Sequence, residues 1–304
     1  MSVTWRGVMP ALMTEFQEDG ALDLEATARH MEACMDAGVE GFIMLGTLGE
    51  NTSLAPDEKE DVLRAACETA AGRVPVLSGV AEYTTDLAIA HAERARRAGC
   101  DGLMALPCMV YTQDEREALH HFRRLAEATD LPLMIYNNPV SYGVDLSPQA
   151  FARLADCETI VAVKESSHDS RRITDMFNEL GGRYLIFCGV DDLVLENVLF
   201  GAVGWVAGLV NAFPQEAVHL FRLAEEGRLE EARALYRWFM PLLHLDVDVK
   251  LVQFIKLANQ LTGLGSEWVR SPRLPLEGEE RARVEALVNK ALASRPDLSA
   301  RAAE

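Results

Sequence analysis

The feature that most constrains this chain is a repeated alternation. A short apolar run with strand character is followed, again and again, by a stretch with helical periodicity. The strand-like runs are Val8 to Met13, Gly41 to Leu45, Val74 to Ser78, Gly102 to Leu106, Pro132 to Tyr136, Thr159 to Val163, Tyr184 to Cys188 and Gly204 to Ala207. Between them lie amphipathic segments such as Asp23 to Gly38, with an aspartate to cap its start and a glycine to end it. Comparable segments run from Asp57 to Ala71, Thr85 to Ala98, Asp114 to Thr129, Pro148 to Leu154, Ser170 to Leu180 and Leu193 to Phe200. Successive strands start roughly 20 to 35 residues apart, the length of a strand–helix–strand unit. Eight such units predict an α/β protein of the (β/α)8 TIM-barrel class. An open doubly wound sheet is the competing architecture, but it usually carries a glycine-rich phosphate loop after the first strand, and Thr14 to Gly20 is not one.

After the eighth strand only helical patterns remain: Pro214 to Glu226, Leu229 to Leu245, Val249 to Leu261 and Glu279 to Ala293. The first completes the barrel, so the domain expectation is a barrel over 1–226 and a C-terminal helical extension over 227–304. With 304 residues, 49% of them hydrophobic, the chain can build such a core. Its net charge of −18 argues against a nucleic-acid partner, because phosphate binding needs basic patches. Six scattered cysteines, none in a Cys-x-x-Cys pair, read as small core residues of a reducing compartment. No run of about 18 apolar residues and no N-terminal leader pattern occurs, so the expectation is a cytoplasmic protein without a membrane partner.

In a (β/α)8 barrel the chemistry collects at the C-terminal ends of the strands. Strand six ends on Lys164, a poor residue for a buried strand unless it has a task. A desolvated lysine has a lowered pKa and a free amine able to form a Schiff base with a carbonyl. The other strand ends supply Gly46-Thr47-Leu48-Gly49-Glu50, Tyr136-Asn137-Asn138-Pro139 and Gly189-Val190-Asp191-Asp192. Each has an ordinary reading alone: a glycine turn, a core aromatic, a helix cap. Their convergence on one barrel mouth favours a site. The histidines have no metal-ligand spacing, and no metal or cofactor is expected.

Those four segments, with Val163-Lys164-Glu165-Ser166, resemble the class I lyases and aldolases typified by dihydrodipicolinate synthase and N-acetylneuraminate lyase. The resemblance spans nearly the whole chain and implies a barrel with a helical tail, usually a homo-oligomer (tetramer or dimer), in which Lys164 forms an imine with a 2-oxo acid. It also implies Tyr136 as proton shuttle, positioned by Thr47. The resemblance further implies that the backbone amides of Thr47 and Leu48 would hold the substrate carboxylate and that Asp191 or Ser166 would hold a substrate hydroxyl, with Gly189 beside them.

Departures from the pattern bear on the substrate. Leu48 stands where dihydrodipicolinate synthase has a second threonine, Met109 stands where it has a tyrosine that reaches a neighbouring subunit, and Val140 to Gly143 lacks its arginine. Tyr111 is a second residue that the resemblance would let reach a neighbouring subunit. The combined pattern most resembles the Δ1-pyrroline-4-hydroxy-2-carboxylate deaminases of hydroxyproline breakdown. The alternatives are a 2-keto-3-deoxy sugar acid aldolase or dehydratase, a dihydrodipicolinate synthase-like condensation, and a non-catalytic 2-oxo acid binding protein.

Overall fold

Each of the eight apolar runs becomes a short parallel strand, because β-branched and large apolar residues fit a sheet covered on both faces. In the computed structural model, which describes residues 3–298, these are β1 (Gly7–Pro10), β2 (Phe42–Met44), β3 (Val76–Val80), β4 (Gly102–Ala105), β5 (Leu133–Asn137), β6 (Ile160–Glu165), β7 (Leu185–Cys188) and β8 (Gly204–Ala207). The strands pair in the order β1-β8-β7-β6-β5-β4-β3-β2. The ring is closed by an Ala11–Ile43 bridge, with Leu12 N donating to Ile43 O at 2.9 Å and Glu40 N to Val8 O at 2.9 Å. The (β/α)8 barrel with a helical tail is therefore the architecture of the chain.

The surrounding helices are α1 (Leu24–Asp36), α2 (Pro56–Ala70), α3 (Thr85–Ala98), α4 (Glu115–Glu127), α5 (Pro139–Tyr142), α6 (Pro148–Ala152), α7 (Arg171–Leu180), α8 (Val194–Leu199) and α9 (Pro214–Glu225). Their ends follow local chemistry. Asp23 caps α1 by accepting from Ala26 N at 2.7 Å, and α1 buries Thr27, His30, Met31 and Cys34 at helical spacing. Asp114 and Glu117 bond each other's backbone amides in a capping box at the start of α4. Helix α5 is not among the helical segments expected from the sequence. Asn138 caps it by accepting from Ser141 N at 3.0 Å, Pro139 presets its first residue, and Gly143 at φ +70° ends it.

The tail comprises α10 (Leu229–Leu243), α11 (Leu251–Thr262) and α12 (Gly278–Ala293), with a 3-10 turn over His244–Val247. A buried ionic network joins it to the barrel. Lys256 of α11, wholly buried, donates to Thr14 O at 2.8 Å and Trp268 O at 2.6 Å, and pairs with Glu50 at 3.1 Å. Glu15 accepts from Asn259 Nδ2 at 3.0 Å and from the Ser266 amide and hydroxyl at 3.1 and 3.0 Å. The Arg270 amide donates to Glu50 at 3.1 Å while its guanidinium grips Glu58 with two bonds of 2.7 Å. Charges this deeply buried persist only when paired and hydrogen-bonded, so barrel and tail pack as one body here. No helix among the described residues is long and apolar enough to cross a membrane.

Candidate active site

Tyr136 of β5 and Lys164 of β6 are ladder partners, so their side chains leave the sheet on the same side at the same level. The Lys164 ammonium lies 4.0 Å from the centre of the Tyr136 ring. Lys164 is only 6% exposed. Burial pushes its pKa down, while the charges of Asp246, Tyr142, Asp191 and Cys188 work the other way. Burial likewise pushes the Tyr136 phenol up to about 12, against the opposing pull of the hydrogen bond from Asn138. That bond runs from Asn138 Nδ2 to Tyr136 Oη at 3.0 Å.

The turn after β2 is held in a strained shape. Leu45 has φ +55°, a left-handed conformation unusual for a non-glycine residue. Asn51 Nδ2 pins it by donating to Leu45 O at 2.9 Å, and Gly79 makes room for it, since a Cβ there would stand 2.2 Å from the Leu45 carbonyl oxygen. The turn leaves the Thr47 and Leu48 amides without a hydrogen-bond acceptor among the described residues. Two adjacent unengaged amides on a rigid turn suit an anion such as a carboxylate.

A cavity of about 410 Å³ opens between these parts, and Thr47, Leu48, Tyr136, Lys164, Ser166 and Gly189 all line it. Ser166 Oγ is buried without a hydrogen-bond partner among the described residues. Gly189 packs against the lysine: a Cβ there would meet Ser166 Oγ at 2.0 Å and Lys164 Cε and Cγ at 2.7 Å. Only glycine leaves the lysine its place.

Two sequence expectations meet a different arrangement. The Tyr136–Thr47 hydrogen bond is not formed; Thr47 Oγ1 is bonded to Tyr142 Oη at 2.7 Å, and Asn138 orients Tyr136. Asp191 lies behind the cavity wall, fully buried, its carboxylate accepting from Trp205 Nε1 at 2.9 Å and from the Gly208 and Leu209 amides at 3.1 and 2.7 Å. Burial raises its pKa to about 6 against those bonds. With its acceptor positions used by the fold, Asp191 buttresses the β8 mouth and is not among the residues that line the cavity. The expectation that Met109 or Tyr111 reaches a neighbouring subunit concerns an assembly of chains; within the chain, Tyr111 is 61% exposed and donates to Glu117 at 3.1 Å.

Among the cavity residues without a role in the sequence reading are Tyr142 and Asp246. Tyr142 is delivered by α5, its ring meeting Tyr136 edge-on at 5.6 Å and 78°. The Gly143 that ends this turn was a visible signal for it. Asp246 comes from the 3-10 turn of the tail and lines the cavity beside Gly208. Nothing in its local sequence distinguishes it from a surface acid.

A parallel eight-stranded barrel with a buried lysine at the mouth of its sixth strand defines a class of enzyme scaffold. The comparisons place it further: a model of the dihydrodipicolinate synthetase family matches residues 4–291, and the chain belongs to that family of lyases. An uncharacterised DapA-like lyase of Halobacterium salinarum is 34% identical over 283 residues, covering 92% of each chain. The crystal structure of dihydrodipicolinate synthase from Aquifex aeolicus superposes with a TM-score of 0.90 at 30% identity, covering 94% of this chain and 98% of that one. YagE, a prophage protein of the dihydrodipicolinic acid synthase family from Escherichia coli K12, was solved in complex with pyruvate; it superposes at TM-score 0.89 and 28% identity, covering 95% and 99%.

Proposed function

We propose that the protein is a class I, Schiff-base-forming lyase acting on a small 2-oxo or 2-imino acid, with Lys164 as the nucleophile. The observation that carries this reading is the desolvated lysine set 4.0 Å over the Tyr136 ring in a cavity that also presents the Thr47 and Leu48 amides. Burial favours the neutral amine, which is the form that attacks a carbonyl or imine carbon. The two amides fix the carboxylate, which sets C2 toward Lys164. The protonated imine then withdraws electrons from C3, and Tyr136, oriented by Asn138, moves the proton there. The pyruvate bound to YagE is a molecule of this substrate class, which agrees with the reading.

The substrate we favour is Δ1-pyrroline-4-hydroxy-2-carboxylate. Lys164 attacks C2 and opens the ring by transimination, freeing a primary amine at C5. Tyr136 removes a C3 proton and the 4-hydroxyl departs as water, leaving a C3–C4 double bond. That double bond migrates to C5, protons passing from C5 and its amine to C3 and C4. Hydrolysis of the resulting C5 imine and of the C2 imine to Lys164 releases ammonia and 2,5-dioxopentanoate. One water is consumed overall. Ser166, with its hydroxyl unpartnered, is the nearer contact for the 4-hydroxyl, since Asp191 is engaged elsewhere. A lysine-biosynthetic condensation is less well supported, because Leu48 supplies no second hydroxyl and Val140 to Gly143 holds no arginine for a second carboxylate.

The test is ammonia release from Δ1-pyrroline-4-hydroxy-2-carboxylate, with Lys164→Ala beside the wild type. Release by the wild type and at least a ~10³-fold loss in the variant are expected, since removal of a covalent nucleophile takes away the whole covalent route. Absence of ammonia with the wild type would move the substrate to the 2-keto-3-deoxy sugar acids. Appreciable turnover by the variant would overturn Lys164 as nucleophile.

A further inference from the structure

The helical tail does more than brace the barrel, because its 3-10 turn over His244–Val247 puts a carboxylate into the cavity. Asp246 Oδ1 rests against the Gly208 backbone, where an added Cβ would stand 2.0 Å from it. The turn is fastened from both sides. His244 Nδ1 bonds Asp192 Oδ2 at 2.8 Å, and the Tyr236 hydroxyl of α10 bonds the Asp192 carbonyl and Glu196 Oε2, the latter at 2.9 Å. The β7 loop and the tail thus hold Asp246 in the cavity that Lys164 also lines. Among the charges around Lys164, that of Asp246 has the largest influence.

The geometry points to Asp246 as the acid–base partner of Lys164 across their shared cavity: through one intervening water it takes up the ammonium proton when the amine attacks, and it returns that proton to the hydroxyl that leaves as the imine forms. This rests on the Schiff-base reading above and deepens it. The balance is simple for a 2-oxo acid. The Lys164 ammonium gives one proton to the Asp246 carboxylate, and the free amine adds to C2. With nitrogen losing a second proton to the C2 oxygen, the carbinolamine forms, and the Asp246 carboxyl protonates its hydroxyl. Water departs, a protonated imine remains, and Asp246 is a carboxylate again. No outside acid is required.

The electrostatics agree with that arrangement. Burial lifts the Asp246 carboxyl well above the ordinary carboxylate range, the neighbouring Asp191 carboxylate adds to the rise, and the Lys164 charge opposes it. Burial lowers the lysine at the same time, so the two groups approach each other in proton affinity, as efficient transfer needs. The other titratable groups around the pair are Tyr136 on β5, Tyr142 on α5, Cys188 on β7, Asp192 after β7, and His244 on the same turn as Asp246.

The experiment uses the whole chain and pyruvate, the simplest 2-oxo acid, trapped on Lys164 by borohydride and read by intact mass against time and pH. Asp246→Asn keeps size and removes the proton. It should slow trapping by about 10²-fold and abolish the pH limb that the wild type shows, while the final extent of trapping at saturating pyruvate is retained. Gly208→Ala is the second variant, since its Cβ displaces the Asp246 carboxylate without altering it; it should show the same kinetic defect, with a thermal melt to confirm that the tail stays docked although the Cβ also stands 3.1 Å from Ile255 Cδ1. Trapping by Asp246→Asn at the wild-type rate and pH profile overturns the role of Asp246 and leaves the Schiff base intact. Absence of trapping on the wild type itself overturns both.

Discussion

At the scale of single residues, the site depends on a glycine as much as on a lysine. Gly189 has no room for a side chain because Ser166 Oγ and the Lys164 stem fill the space. Gly189→Ala is therefore expected to push the Lys164 amine off its line over Tyr136 and to reduce kcat/KM by about 10²-fold, the cost of a misplaced reacting group. Steady-state kinetics with a circular dichroism control checks this; wild-type kinetics would show that the lysine has slack. Lys164 and Tyr136 were legible in the sequence because a charged or phenolic residue at the end of an apolar run has few structural reasons to be there. Asp191 was legible as an acid but not in its direction. A carboxylate at a strand end can face the cavity or turn back onto backbone amides, and here Trp205, Gly208 and Leu209 capture it.

At the scale of elements, the joint between barrel and tail is a set of buried charges. Removing one partner leaves the others unpaired in a dry environment, which costs more than the pair itself contributes. Lys256→Ala takes from Glu50 its nearest cation, leaving the Arg270 amide and Arg273 at 3.6 Å, and withdraws the donors to Thr14 O and Trp268 O, so a loss of about 3 kcal/mol is expected. Chemical denaturation measures it; a loss below about 1 kcal/mol would mean that the network rearranges. The helices of the barrel were readable because capping residues and apolar period agree, as at Asp23 and Asp114. Helix α5 was not, since four residues hold no period, and only the cap geometry of Asn138 and Pro139 distinguishes it from a turn.

At the scale of the whole molecule, the pH range of stability follows from a buried pair that spans two elements. His30 of α1 lies 3.3 Å from Glu15 and bonds Asn211 O through Nε2 at 2.9 Å. Burial opposes the charged ring, but the Cys34 thiol and the Glu15 carboxylate push its pKa up to about 10 from 6.5. Above pH 6.5 the folded ring holds a proton that the unfolded ring has lost, so this contribution is complete below pH 6.5 and disappears as the pH rises through about 10. Glu15 works in the opposite sense: despite burial, the bond and charge of His30 hold it below 4.5, so its contribution is complete above pH 4.5 and is lost as the pH falls through its folded value. Melting temperatures from pH 7 to 10 should fall, and His30→Gln should flatten that slope. An unchanged slope in the variant would assign the alkaline loss to other groups.

The sequence by itself determined the barrel, its eight strands, most helix boundaries and the lysine, because period, caps and an out-of-place charge are local properties of the chain. The tertiary structure alone decided which acid enters the cavity, which tyrosine meets Thr47, and that the tail is welded to the barrel. Asp246 and Lys164 are far apart in sequence, and so are Lys256 and Glu50. That the first two line one cavity and the second two form a pair depends on how closed elements pack, and no spacing along the chain encodes the direction in which a side chain finally points.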